Sequence, residues 1–194
     1  GLDVARYGGD NSALCVRQGN TVLEIKSFQS MDLMQLCGAI KNKYDDCTAL
    51  ERPQEILIDV IGLGSGVVDR LAEQNLPVRG INVAEAPATK KNYLNLRAEL
   101  WFSIKDWLAQ RDCRLPNDDE LVSELAAPIY KYTSSGKIKL ESKEEMRKRG
   151  IKSPDKADAL SLTMASSAAS FSGSMSFMGY NFRQPLKSKI IRIG

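Results

Sequence analysis

The chain has 194 residues, 43% of them hydrophobic, which suits one α/β domain with a real core and a tail. It contains no histidine, which excludes Ser-His-Asp and Cys-His nucleophilic sites and every His-bearing zinc site. The net charge is +3, but the four basic residues Arg183, Lys187, Lys189 and Arg192 follow residue 170 with no acid beside them, leaving 23 basic against 24 acidic groups before them. The body is therefore not a generic polycation, and contacts to nucleic acid are expected from local patches.

No apolar run approaches the roughly 20 residues of a membrane span, so no membrane partner is expected. Cys15, Cys37, Cys47 and Cys113 are scattered without CxxC spacing and read as reduced, intracellular cysteines. The chain opens on strand-like sequence at Gly1 rather than on Met or a leader, and is expected to be a fragment of a longer protein.

Residues 2–7, 13–18 and 21–28 are expected as three strands of an antiparallel meander, joined by turns at Gly8-Gly9-Asp10-Asn11 and Gln18-Gly19-Asn20. Ser30 is the expected N-cap of a helix over 31–44, whose Leu33, Leu36, Cys37 and Ile40 keep helical spacing. Residues 55–59 form a short, almost wholly apolar strand of the kind covered on both faces, ending in Asp59. Gly62-Leu63-Gly64-Ser65-Gly66 leads into a helix over 67–74 and reads either as a tight turn or as a phosphate cradle. It lacks the GxGxxG spacing and the Lys-Ser/Thr ending of a P-loop.

A strand over 78–83 and a loop over 84–92 come next. The amphipathic helix over 95–110 carries Leu96, Leu100, Ile104, Trp107 and Leu108 as its apolar stripe. A helix over 118–126 and a hairpin of residues 129–133 and 137–141 around Ser134-Ser135-Gly136 lead to a basic segment, 143–152. Ser153 is the expected cap of a last helix running to about 169, with Pro154 at its first position. Residues 1–170 are expected as the domain, and the Ser/Gly/Met-rich 171–194 as a flexible basic tail.

Four acids stand out. Asp3 and Asp59 lie on apolar strands, and an unpaired carboxylate in a core is too costly to keep for packing. Asp155 and Asp158, three residues apart, share a face of the last helix. Each of these two also reads as an ordinary first-turn acid favoured by the helix dipole. If the two strands are neighbours, Asp3 and Asp59 come within about 5 Å laterally. Carboxylates so crowded need a counter-cation. Two divalent ions, Mg²⁺ or Mn²⁺ given an all-oxygen donor set, would meet that need and activate water without histidine. Asp10 is either a turn-former or a further ligand. Arg6, Lys137, Lys139, Lys143, Arg147, Lys148, Arg149 and Lys152 form either a solvated surface, interrupted by Glu141, Glu144 and Glu145, or a track for a DNA backbone.

The run from Leu2-Asp3-Val4-Ala5-Arg6 to Asp10, the strand-end Asp59, the string Asn95-Leu96-Arg97-Ala98-Glu99-Leu100-Trp101 and Ser153-Pro154-Asp155-Lys156-Ala157-Asp158-Ala159-Leu160 together resemble the C-terminal nuclease domain of the large terminase subunit of tailed bacteriophages. The resemblance covers about residues 1–170. It implies an RNase H-like α/β fold, a mixed sheet with an antiparallel meander and parallel strands flanked by helices. It also implies a metal-dependent endonuclease that cuts concatemeric double-stranded DNA during genome packaging in the host cytoplasm.

By the resemblance, Asp3 and Asp59 match the first two metal-binding acids. The third lies within Asp155-x-x-Asp158, with Asp155 favoured, and Asp10 matches an additional acid. The Arg97/Glu99/Trp101 string is expected to anchor its helix to the core. The implied partners are DNA, an N-terminal packaging ATPase domain of the same polypeptide, the portal or procapsid, and the small terminase subunit. Rival readings are a Holliday-junction resolvase or transposase-like nuclease, or a non-catalytic DNA- or portal-binding module.

Overall fold

A computed structural model describes residues 1–5, 11–89 and 91–165. Five strands make one sheet in the order β3-β2-β1-β4-β5. These are β1 (Leu2–Asp3), β2 (Ser12–Gln18), β3 (Thr21–Phe28), β4 (Ile56–Asp59) and β5 (Val78–Ile81). The first three form the expected meander, with Leu2 opposite Leu14 and Asp3 opposite Ala13. β4 then runs parallel to β1, with Leu2 level with Ile58, and β5 runs parallel to β4.

Helices cover both faces. α1 (Leu33–Asp46) and α2 (Gly64–Glu73) enclose Leu2, Leu14, Phe28, Ile56 and Ile58 with Leu36, Cys37, Ile40, Val67 and Leu71. On the other face, α3 (Leu96–Ala109), α4 (Asp119–Ala126) and α6 (Asp155–Leu162) pack Ala98, Trp101, Ile104, Trp107 and Leu121 with Ala157, Ala159 and Leu160 against Ala13, Cys15 and Val22. A single turn of 3₁₀ helix, Thr163–Ala165, follows α6. A separate hairpin of β6 (Tyr130–Tyr132) and β7 (Ile138–Leu140) leads into α5 (Lys143–Lys148). Successive residues of a strand face opposite ways, so with Leu2 and Ile58 on the α1/α2 side, Asp3 and Asp59 face α3 and α6.

Three expectations need correcting. β1 stops at Asp3 rather than residue 7, because the Ala5 N–H donates to the Ser12 hydroxyl (3.1 Å) instead of a ladder carbonyl. Ser30 does not cap α1; it lies at φ 53°, and the cap is Asp32, in a reciprocal capping box with Gln35. Within the basic segment 143–152, Ser142 and Glu145 form a second capping box and start α5. Ser153 does not cap α6 either. Its hydroxyl is buried without a hydrogen-bond partner among the described residues. The Ala157 N–H in that first turn donates instead to Glu124 of α4 at 2.9 Å.

The glycine-rich stretch is a tight turn, and α2 already begins at Gly64. A Cβ on Gly64 would lie 1.7 Å from the carbonyl oxygen of Asp59, so only glycine lets the helix start so close to the strand end. Arg6, Asp10, the last residues of the expected final helix and the 171–194 segment lie outside the described residues.

Candidate active site

Three of the four acids meet around one cation. Asp3 ends β1, and Asp155 and Asp158 open α6, which lies across β1, β2 and β4. All three carboxylates are buried, at 5%, 7% and 7% exposure. Between them sits the ammonium of Lys143, the first residue of α5. It is 2.9 Å from Asp3 Oδ2, 3.2 Å from Asp158 Oδ2 and 3.9 Å from Asp155 Oδ1. Asp59, one residue beyond the Leu2–Ile58 pairing, is half-buried and feels the charges of Lys143, Asp158 and Arg97. Its Oδ1 accepts from the Ile61 N–H at 3.0 Å.

Each carboxylate is aimed by a different neighbour. The Asn11 N–H donates to Asp155 Oδ2 at 3.0 Å. The Trp101 indole N–H donates to Asp158 Oδ1 at 2.8 Å, and an Arg97 guanidinium nitrogen lies 3.1 Å from the same oxygen. Arg97 also donates to the Glu141 carbonyl at 2.7 Å, on the segment that leads into α5. Arg97 and Trp101 are four apart, so they share a face of α3.

Four carboxylates against two cations leave the cluster net acidic. Burial pushes Asp3 up to about 7, against the downward pull of Lys143. Burial also raises Asp59. Asp158 stays below the ordinary carboxylate range: Arg97 and Lys143 favour its charge by more than burial disfavours it. The surrounding carboxylates likewise overcome burial at Lys143 and hold its ammonium protonated. Beside the cluster, burial raises Glu124 to about 7, opposed by the N–H groups it accepts from α6.

The donor set fits a hard divalent cation: oxygen only, surplus negative charge, and a position that already holds a positive group. Among the described residues, however, no three His, Cys, Asp or Glu side chains stand ready as a cage for an ion, and Lys143 fills the space between the acids. A metal ion would need that lysine to move aside.

The other basic candidates flank this centre. Lys139, on β7, lies 3.8 Å from Glu145, which Lys131 also approaches. Lys137 precedes β7, Arg147 is exposed on α5, and Lys152 is exposed before α6. Arg149 is not on an outward track, as it grips Glu141 and the Ala127 carbonyl. Reasoning from sequence grouped Lys143 with the surface lysines and missed Glu124. It read Arg97, Glu99 and Trp101 as anchoring their helix to the core, where Trp101 does lie, but not as partners of Asp158; the signal available was an arginine and a tryptophan at i, i+4 on one face of an amphipathic helix.

No protein-family model and no curated protein matches the chain. Solved structures do. The nuclease domain of the large terminase subunit of bacterial virus Sf6 matches with a TM-score of 0.68 at 22% identity, over 85% of this chain and 86% of that one. A lysine-to-alanine mutant of it, with manganese and beta-thujaplicinol, matches with a TM-score of 0.72 at 22% identity over the same shares. The large terminase nuclease of thermophilic phage G20c, with bound magnesium, matches with a TM-score of 0.63 at 15% identity, over 85% of this chain and 78% of that one. This chain has the fold of the terminase nucleases. That RNase H-like fold puts Asp3 and Asp59 at the ends of neighbouring parallel strands, with α6 delivering Asp155 and Asp158 from one side of the sheet.

Proposed function

We propose that the chain is a metal-dependent endonuclease that cuts concatemeric double-stranded DNA during phage genome packaging. The observation that carries this reading is the convergence of Asp3, Asp155 and Asp158 on one cationic position, with Asp59 on the neighbouring strand. The metals named for the similar nucleases, manganese, magnesium, calcium and cobalt, are consistent with it.

Asp3, Asp59 and Asp155 would hold two divalent cations, Mg²⁺ or Mn²⁺, with Asp158 beside them and Asp10 as a further candidate. Bound there, such ions supply a water of lowered pKa and a countercharge for the leaving oxygen. Lys143 withdraws from the acids and is then free to face the phosphate. Arg6, Lys137, Lys139, Arg147 and Lys152 contact the DNA backbone; each Lys or Arg replaced by alanine should lower the salt slope of duplex binding by about one.

In the host cytoplasm the domain would work beside a packaging ATPase domain of the same polypeptide, the portal or procapsid, and the small terminase subunit. The segment after residue 170 would dock to the portal: a chain ending at Ser170 should lose portal binding and keep cutting, and unchanged portal binding would refute this role. Plasmid cutting with Mg²⁺, Mn²⁺, Ca²⁺ and EDTA tests the central reading. Cutting is expected with Mg²⁺ or Mn²⁺ and none in EDTA; cutting that persists in EDTA overturns the mechanism.

A further inference from the structure

The string Asn95-Leu96-Arg97-Ala98-Glu99-Leu100-Trp101 accounts for a whole side of the site. Asn95 caps α3 by accepting from the Ala98 N–H at 3.1 Å. Ala98 is fully buried, which lets α3 pack closely within the cluster that contains α6. Glu99 accepts from the backbone N–H groups of Ala88 and Thr89, at 2.7 and 2.8 Å, and ties down the preceding loop. That leaves Arg97 and Trp101, and both reach Asp158.

We propose that Arg97 and Trp101 are positioning residues that lock the Asp158 carboxylate, pinning Oδ1 and turning Oδ2 toward the cation-holding position. The two donors on Oδ1 stand at 2.8 Å (Trp101) and 3.1 Å (Arg97). Oδ2 has only a longer approach from Arg97, at 3.4 Å, and faces Lys143 at 3.2 Å. An indole N–H cannot accept and a guanidinium cannot deprotonate, so neither partner competes for a cation; both only aim the acid. Arg97 extends the lock through the Glu141 carbonyl to the segment carrying Lys143, so the acid and its present counter-ion are registered by one side chain. Outer partners of this kind tune ion affinity by about 10–100-fold.

The inference rests on the nuclease reading, and the test separates the two. Mn²⁺ binding by calorimetry, without DNA, is compared for the 194-residue chain and its Trp101→Phe, Arg97→Lys and Asp158→Asn variants. Trp101→Phe keeps an aromatic ring in the core and removes the N–H donor. Trp101→Phe and Arg97→Lys are each expected to bind Mn²⁺ about tenfold more weakly, with melting temperatures within about 5 °C of the parent. If Asp158→Asn weakens binding tenfold while Trp101→Phe and Arg97→Lys bind like the parent, the lock is overturned and the metal site stands. If the parent chain binds no Mn²⁺, both fall. A second readout does not depend on the folding of those variants. The chain has two tryptophans, so Trp107→Phe leaves Trp101 as the sole indole, which can be excited selectively over the tyrosines. Its emission should shift saturably on Mg²⁺ titration; a spectrum unchanged at saturating Mg²⁺ overturns the proposal.

Discussion

Lys143 Nζ lies 2.9 Å from Asp3 Oδ2, joining the first residue of α5 to the last residue of β1 across 140 positions of sequence. The pair is mostly sheltered, with the two side chains 29% and 7% exposed. Removing one partner of a sheltered pair leaves the other charge stranded, at a cost of about 3 kcal/mol. Lys143→Met should therefore lower metal-free stability by about that amount and tighten Mn²⁺ binding, since the competing ammonium is gone. Denaturant unfolding in EDTA and calorimetry measure the two effects. No change in either would show that Lys143 is not the counter-ion of this cluster.

Asp59→Ala should abolish plasmid cutting while leaving duplex binding intact. Loss of a group that holds the cation removes several kcal/mol of transition-state stabilisation, a fall of at least about 100-fold. Because burial disfavours the Asp59 charge, its removal should not reduce folding stability appreciably. Residual cutting near the parent rate would remove Asp59 from the site.

Glu124 gives a pH signature. Burial raises it from its ordinary 4.5 to about 7, so between those values the native state holds more protons than the unfolded chain. Stability therefore falls as pH rises through that window. The group is only partly sheltered, so the loss is on the order of 1–2 kcal/mol after screening. Glu124→Gln keeps an acceptor for the Ala157 N–H and removes the charge. Its melting temperature, relative to the parent, should climb between pH 5 and about pH 7.5. Parallel curves for the two proteins would contradict this account.

Gly64→Ala should be severe. The added Cβ would sit 1.7 Å from the Asp59 carbonyl oxygen, and that neighbour is backbone, which has no rotamer to yield. A loss of about 3 kcal/mol or more is expected, with Asp59 displaced and cutting reduced along with it. A parent-like melting temperature would mean that α2 has room to start elsewhere.

The layered α/β plan was legible because period-2 and period-3.6 patterns dominate the strands and long helices. Asp3 and Asp59 were legible because a carboxylate in an apolar strand has few structural excuses. The errors fell where local hydrogen bonding decides. Ser12 intercepts the Ala5 amide and shortens β1, and Asp32 with Gln35 outcompetes Ser30. Glu124 reaches α6 from another helix, a partner 33 residues away that no local window reveals. Lys143 was hidden among basic neighbours of the same chemistry. Only the third dimension separates Lys143, which turns into the acidic cluster, from Lys137, Lys139 and Lys152, which do not.

Zinc-finger domains are unfolded until their ion arrives, because the free energy of binding the ion is what folds them. Here an internal ammonium already balances part of the acidic centre. On the proposed nuclease reading, folding and metal loading are thus separable events: chelation should silence cutting yet leave an intact domain, able to cut again once divalent salt returns.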